Sequence, residues 1–358
     1  QGWNEHFHVL YWDNPIGTGY SFSKPSGYYA KCEIELSGQF YLALQGFYGM
    51  YPQYRGNPLY ITGESYAGKY IPNMVKTIDK QNEKVKKEAR INLEGFAIGD
   101  GWMRPELHLK NTMDYAHNIG FIDTPQYKKI DKVYTNFQGI MNDAKKAKEA
   151  GNIDEYNKLM TRAFYLGGDI NTMVLNCAGH PDEYDVRRWG GLPLDALAEY
   201  MNMPRVKEAL NVPDDEDIRW ECADNAGPVT VGLITDNMAD VTPKLYSLIE
   251  AKDGKGNPKY RVMHYTGDFD MACGFMGTET ILNELNLDGA WANVCRRVWV
   301  IPPEKTLGYV KSHANLTQVN IVDSGHLVPM DRPAVSRMMI DTWVPGKDFP
   351  SYDPMPEE

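Results

Sequence analysis

A serine, a histidine and a pair of aspartates stand in this chain where acyl-transfer chemistry could use them. Gly63-Glu64-Ser65-Tyr66-Ala67-Gly68 follows the apolar run Pro58-Leu59-Tyr60-Ile61 and precedes Tyr70-Ile71-Pro72, so a serine falls where a strand turns sharply into a helix. Small residues beside the serine let the backbone take the strained turn that lifts a nucleophilic hydroxyl out of the sheet edge. The form is Gly-x-Ser-x-Ala rather than the commoner Gly-x-Ser-x-Gly, and such a turn alone recurs in many unrelated sequences. Its partners downstream give it meaning.

Those partners follow in the order serine, acid, histidine, the order of the α/β-hydrolase fold. Arg261-Val262-Met263-His264-Tyr265-Thr266 reads as a buried strand running into Gly267-Asp268-Phe269-Asp270, which puts a carboxylate on the loop past a strand end. Val319-Asn320-Ile321-Val322 is a second strand, delivering Asp323-Ser324-Gly325-His326-Leu327-Val328-Pro329. Active sites of open parallel sheets are built at such strand ends. Spacing alone leaves both Asp268 and Asp270 within reach of the imidazole.

The elements that must hold these loops are readable from periodicity and breakers. His8 to Trp12 reads as a strand, Ile34 to Met50 as an amphipathic helix, Leu93 to Ile98 as a strand and Glu106 to Ile119 as a helix. Lys128 to Ala150 carries Tyr134, Phe137 and Ile140 at helical spacing, and Ile153 to Tyr165 continues in similar style. Leu194 to Asn211 reads as one helix, and Arg332 to Trp343 as the closing helix. The expected class is α/β, with a doubly wound, mostly parallel sheet.

The three blocks Gly-Glu-Ser-Tyr-Ala-Gly-Lys-Tyr-Ile-Pro, Tyr-Thr-Gly-Asp-Phe-Asp-Met-Ala-Cys and Gly-His-Leu-Val-Pro-Met-Asp-Arg-Pro resemble the signature blocks of the serine carboxypeptidases. Asp13-Asn14-Pro15-Ile16-Gly17-Thr18-Gly19-Tyr20-Ser21 resembles that family's Asp-x-Pro-x-Gly-x-Gly-Phe-Ser turn, and Ile98-Gly99-Asp100-Gly101 its Ile-Gly-Asn-Gly segment, with aspartate in place of asparagine. The resemblance spans nearly the whole chain. It implies a hydrolase core over residues 1–121 and 191–358, interrupted by a mainly helical cap over residues 122–190, where the likeness is weakest.

Carried over by motif, the resemblance makes Ser65 the nucleophile, His326 the base and then the acid, and Asp270, rather than Asp268, the residue that orients the imidazole. The Tyr66 amide supplies an oxyanion donor. Protonated Glu64 donates a hydrogen bond to the free C-terminus of a peptide, which implies an acidic optimum. Leu327 lines the leaving residue's pocket, and Cys273 matches a thiol close to the site. The implied reaction is release of single C-terminal amino acids from peptides, without a cofactor. Acyltransferases share the fold and triad, and a protective, non-catalytic role is the reading from another class.

Family members also carry Trp-Leu-Asn-Gly-Gly-Pro-Gly-Cys-Ser-Ser ahead of the region that matches Gln1. That block supplies a second oxyanion donor, part of the carboxylate clamp and a cysteine. Its absence here suggests a separate N-terminal segment or chain, and the resemblance assigns Cys222 as the disulfide tether to it. Cys222 is one of five cysteines, and an odd count in an oxidising compartment leaves one thiol to pair elsewhere. Cys32, Cys177 and Cys295 have no assignable partners.

Composition sets outer limits. A chain of 358 residues with 42% hydrophobic content can bury one large core and a lid. Its net charge of −11 excludes nucleic acid as a natural partner and suits an acidic compartment. No apolar run reaches membrane-span length. Asn315-Leu316-Thr317 is a glycosylation sequon and points to a lysosomal, vacuolar or secreted protein. His6-Phe7-His8 lacks a third ligand group, so no metal site is expected. A homodimer is compatible with the resemblance, but no residue pattern selects its face.

Overall fold

The computed structural model describes residues 2–22, 27–191, 195–213, 215, 218–221, 227–285, 287–301 and 305–354. Its strands are β1 (Leu59–Glu64), β2 (Leu93–Gly99), β3 (Pro181–Asp182), β4 (Asp185–Trp189), β5 (Arg261–Gly267), β6 (Arg297–Ile301), β7 (Lys305–His313), β8 (Leu316–Ile321) and β9 (Ser351–Tyr352). The main sheet runs in the order β1-β2-β5-β8-β7-β6-β9. The first four strands of that order are mutually parallel, while β7, β6 and β9 extend the sheet antiparallel. β2 and β5 are buried on both faces, as parallel strands covered by helices on each side must be, although β5 places His264 and Thr266 among its buried residues.

Register decides where the chemistry goes. Glu64 pairs with Gly99, and Gly99 with Tyr265, so β1, β2 and β5 reach their carboxyl ends in one row. Gly267 pairs with Ile321, which brings the end of β8 alongside. The loops that follow therefore emerge at one edge of the sheet.

Helices α1 (Glu33–Met50) and α2 (Ala67–Asn82) share a core with the outer parallel strands, in which Leu36, Leu44, Ile71, Val75 and Ile78 are almost fully buried. Helix α3 (Pro105–Asn118) leads into the long pair α4 (Thr124–Glu149) and α5 (Ile153–Ala178). Asp123 starts α4 with a reciprocal capping box to Gln126. Ile130, Phe137 and Ala144 of α4 and Ala163, Ile170 and Val174 of α5 bury a second cluster, which also takes in Met113 and Met271. Residues 122–190 are thus mainly helical, but they close on the β3–β4 hairpin.

Three expectations fail in informative ways. His8 to Trp12 is not a strand: it runs as coil, packing His8 on Tyr54 and Trp12 on Phe40, with Leu10 and Tyr11 exposed. A strand exists only through its ladder, and no described strand pairs with this segment. Leu194 to Asn211 is split into α6 (Asp195–Met201) and α7 (Pro204–Ala209), because Pro204 can open a helix but not continue one. α5 runs to Ala178, well beyond Tyr165, and ends on left-handed Gly179.

No helix of the described residues is long and apolar enough to cross a membrane. Cys32, Cys177, Cys273 and Cys295 are free thiols, and Cys222 lies outside the described residues. The Asn315 amide donates to the carbonyls of Ile249 (2.9 Å) and Tyr260 (2.8 Å). A glycan there would displace one of these bonds, which speaks against the expected attachment.

Candidate active site

Ser65 sits between β1 and α2 with φ +60°, a left-handed conformation that a non-glycine residue holds only when its surroundings over-determine it. They do so through backbone. The Ser65 amide donates to the Gly99 carbonyl (2.9 Å), and the Ser65 carbonyl accepts from Gly68 (2.9 Å) and Trp102 (2.8 Å). Gly68 has no room for a side chain, since an added Cβ would lie 2.8 Å from the Trp102 nitrogen and 2.9 Å from the Gly101 carbonyl carbon. α2 begins with no side-chain cap, with Tyr66 at the cap position directly after the serine, and its Gly68 and Lys69 amides turn back onto the Ser65 and Tyr66 carbonyls.

His326 follows β8 and is almost fully buried. Its Nδ1 bonds Asp270 Oδ2 at 2.8 Å. Asp270 is itself sealed, and it accepts from the amides of Ala272 (2.8 Å) and Cys273 (3.2 Å). Asp268 faces elsewhere: its Oδ1 accepts from the Ser324 amide (3.2 Å). Of the two aspartates that spacing left within reach of the imidazole, Asp270 is the one that bonds it.

Burial alone would push the His326 imidazole down. The Asp270 carboxylate and the hydrogen bond to it, helped by Glu64 and Glu183, outweigh burial and raise it. His326 Nε2 is buried without a hydrogen-bond partner, so the Ser65 hydroxyl is not bonded to it here. Catalytic hydrogen bonds often tighten only when substrate is bound.

Glu64 precedes the serine. Burial pushes its carboxyl up to about 7, against the pull of His326 and hydrogen bonds from the Tyr265 hydroxyl and Val328 amide. One of its oxygens, Oε1, is buried without a hydrogen-bond partner. Leu327 is half-buried beside His326. Cys273 is buried, and that burial raises its thiol far above the ordinary range, so it is not a thiolate nucleophile. His6 and His8 have different partners: His6 bonds Asp341 (2.9 Å), and His8 meets Tyr54 edge to face.

Two contributors escaped the sequence reading. The β3–β4 hairpin lays Tyr184 on the imidazole, with ring centroids 4.8 Å apart, and the Tyr184 carbonyl accepts from the His326 amide (2.7 Å). Asp331 then accepts from the Gly325 amide (2.7 Å) and from Arg188 (2.6 Å). Asp100 is the second contributor, a fully buried carboxyl next to Asp270. Its signal was present as the aspartate standing in the Ile-Gly-Asn-Gly segment.

Comparison with known proteins agrees with this architecture. A family model described as serine carboxypeptidase matches residues 1–346. Among curated proteins, "Serine carboxypeptidase-like 48" of Arabidopsis thaliana is 29% identical over 97% of this chain and 65% of its own length. "Probable serine carboxypeptidase CPVL" of Dictyostelium discoideum is 31% identical over 98% of this chain and 66% of its own. The chain thus spans about two thirds of the length of these relatives. In structure, it superposes on a prohormone-processing carboxypeptidase of Saccharomyces cerevisiae with a TM-score of 0.76, covering 93% of this chain and 73% of that one at 21% identity. This last likeness speaks to the α/β fold.

Proposed function

Since the chain belongs to the serine carboxypeptidase family, we propose that it forms the catalytic part of an enzyme that removes single amino acids from the C-termini of peptides. The observation that carries this reading is the buried Asp270–His326 pair at the strand ends, next to an elbow serine flanked by a carboxyl held up to about 7. Ser65 Oγ attacks the terminal peptide carbonyl while His326 Nε2 takes its proton. The Tyr66 amide stabilises the oxyanion as it forms. Collapse breaks the C–N bond, His326 returns the proton to the departing amine, and water repeats the sequence on the acyl-enzyme.

Protonated Glu64 donates to the substrate carboxylate, which selects a free C-terminus. Residues 122–190 act as the cap over the site, and Leu327 lines the pocket for the leaving residue. Glu64 must keep its proton while His326 must be free of one, so kcat/KM is bell-shaped, with an alkaline limb near 7 set by Glu64. The resemblance to this family further points to the secretory pathway as its location.

Release of the terminal amino acid from a blocked dipeptide, followed across about pH 4 to 9, tests the reading. The expected result is a bell-shaped profile, falling above about 7 as Glu64 ionises and falling on the acid side as His326 gains its proton, with release that disappears with Ser65→Ala and with an amidated substrate. Equal release from the amidated peptide would overturn the carboxyl clamp. Labelling of Ser65 by a fluorophosphonate without any peptide release would overturn the carboxypeptidase assignment.

A further inference from the structure

Asp100 ends β2 where the chain must turn, with φ +41° and no accessible surface. Its amide donates to the Tyr265 carbonyl (2.8 Å), which ties it to β5. Its Oδ1 accepts from the Gly267 amide (3.0 Å), on the strand end that leads to Asp270. Its Oδ2 is sealed and receives no N–H donor. What lies beside it is the Asp270 carboxyl. One atom each of Asp100, Asp270 and His326 lie within 4.8 Å of one another.

Two carboxyls this close and away from water are not both ionised, so one of them keeps a proton. His326 is the one nearby group that can turn cationic, and it is neutral whenever it acts as the base, so the neighbours offer no lasting relief. Glu64 adds a second carboxyl, Tyr265 and Cys273 face the pair as neutral O–H and S–H groups, and Asp100 enters no ion pair among the described residues. Asp270 already serves His326 through its Oδ2 and the Cys273 and Ala272 amides through both oxygens. Asp100 is therefore the partner that carries the proton.

We propose that Asp100 is a positioning residue that remains protonated while the site works and donates its hydrogen bond to Asp270, fixing the carboxylate that orients His326. Burial, followed by the charges of Asp270 and Glu64, raises the Asp100 carboxyl far above the ordinary carboxylate range, in keeping with this role. An asparagine amide would donate in the same direction, which accounts for aspartate occupying the asparagine place of the Ile-Gly-Asn-Gly pattern. The difference is that an aspartate can lose its donor. Once Asp100 ionises, two carboxylates face each other and the support of Asp270 becomes repulsion.

The inference rests on the triad reading of the site but not on the identity of the substrate, so its test uses none. Selective ¹⁵N-histidine NMR would follow the titration of His326 in the full chain, alongside the rate at which a fluorophosphonate labels Ser65. Asp100→Asn is expected to move the His326 pKa by less than about half a unit, because one neutral donor replaces another. It should also flatten any loss of labelling at alkaline pH. Asp100→Ala is expected to slow labelling about tenfold, and Asp100→Asn to recover most of that. A fall of about one unit or more in the His326 pKa of Asp100→Asn would mean that a negative charge had been removed, and would overturn the proposal. So would equal losses in the two variants. Should the chain release no amino acid from peptides while both expectations hold, the carboxypeptidase reading fails and the role of Asp100 stands.

Discussion

The two arms of the site are held by different means. Ser65 is fixed by main chain: three backbone hydrogen bonds, a left-handed turn and a glycine packed against glycine. His326 is fixed by side chains: the Asp270 carboxylate, the Tyr184 ring and the Asp331–Arg188 pair. A nucleophile needs one exposed atom presented at one point, which strained backbone provides. A base must hold a tautomer and accept charge, which requires a polar partner on its far nitrogen. The serine arm should therefore be sensitive to added volume, and the histidine arm to altered charge and hydrogen bonding.

Asp270→Asn should show the largest effect. It leaves shape intact but presents the imidazole with a partner that no longer selects the working tautomer, so kcat is expected to fall about 10⁴-fold. Asp268→Asn should cost less than about tenfold, because that carboxylate serves the Ser324 amide. Steady-state kinetics on both variants, with folding checked by circular dichroism, measures the contrast. Equal losses would show that the arm depends on the total negative charge of the loop and not on one contact.

Next comes the pH dependence of stability. The Glu64 carboxyl is raised in the folded state from 4.5 to about 7, chiefly by burial, so the folded protein binds its proton more tightly than the unfolded chain does. Stability from this source is fully present below about 4.5 and is lost as pH rises through about 7. Glu33 follows the same rule up to about 8, through burial and then the Asp236 charge. Urea unfolding should show the wild type weaker at pH 8 than at pH 5, by a few kcal/mol at most. Glu33→Gln should flatten part of that difference, and an unchanged slope would remove Glu33 from the account. On the serine arm, Gly68→Ala is expected to cost about 1–3 kcal/mol by overpacking while leaving the histidine titration alone. A stability loss below that range would mean that α2 can move away from Gly101.

Much of this site was legible in the sequence, because it depends on local turns at the ends of strongly apolar strands. The elbow, the loop after β5 and the loop after β8 each announce themselves by a run of buried residues followed by glycine and a polar group. The acid could not be chosen from spacing, since Asp268 and Asp270 differ only in where the loop turns after leaving the sheet. The β3–β4 hairpin was illegible for a different reason. Pro181 to Trp189 has little apolar alternation, and its place is set by distant partners, the Val186 amide donating to Phe269 and the Met271 amide to Glu183. His8 to Trp12 shows the converse, a β-prone run without a described ladder. Asp100 was visible as a departure from pattern, but only the close approach of β2 to β5 gives it a partner.

Asp331→Asn should have the smallest effect of the series and sharpens the picture of the histidine arm. Asp331 Oδ2 holds the Gly325 amide, and Oδ1 holds Arg188. An asparagine can satisfy one of these with its oxygen, but it turns an N–H toward the other. Arg188 keeps a second acid in Asp185 (3.1 Å), and the His326 amide keeps the Tyr184 carbonyl, so the loop retains most of its restraints. With Arg188 partly exposed to solvent, the expected loss of stability is about 1 kcal/mol. kcat should fall about three- to tenfold with KM nearly unchanged, since what loosens is the aim of the imidazole rather than any substrate contact. A loss approaching that of Asp270→Asn would show that the loop hangs on this one carboxylate. No loss at all would show that Tyr184 and Asp270 suffice to hold His326.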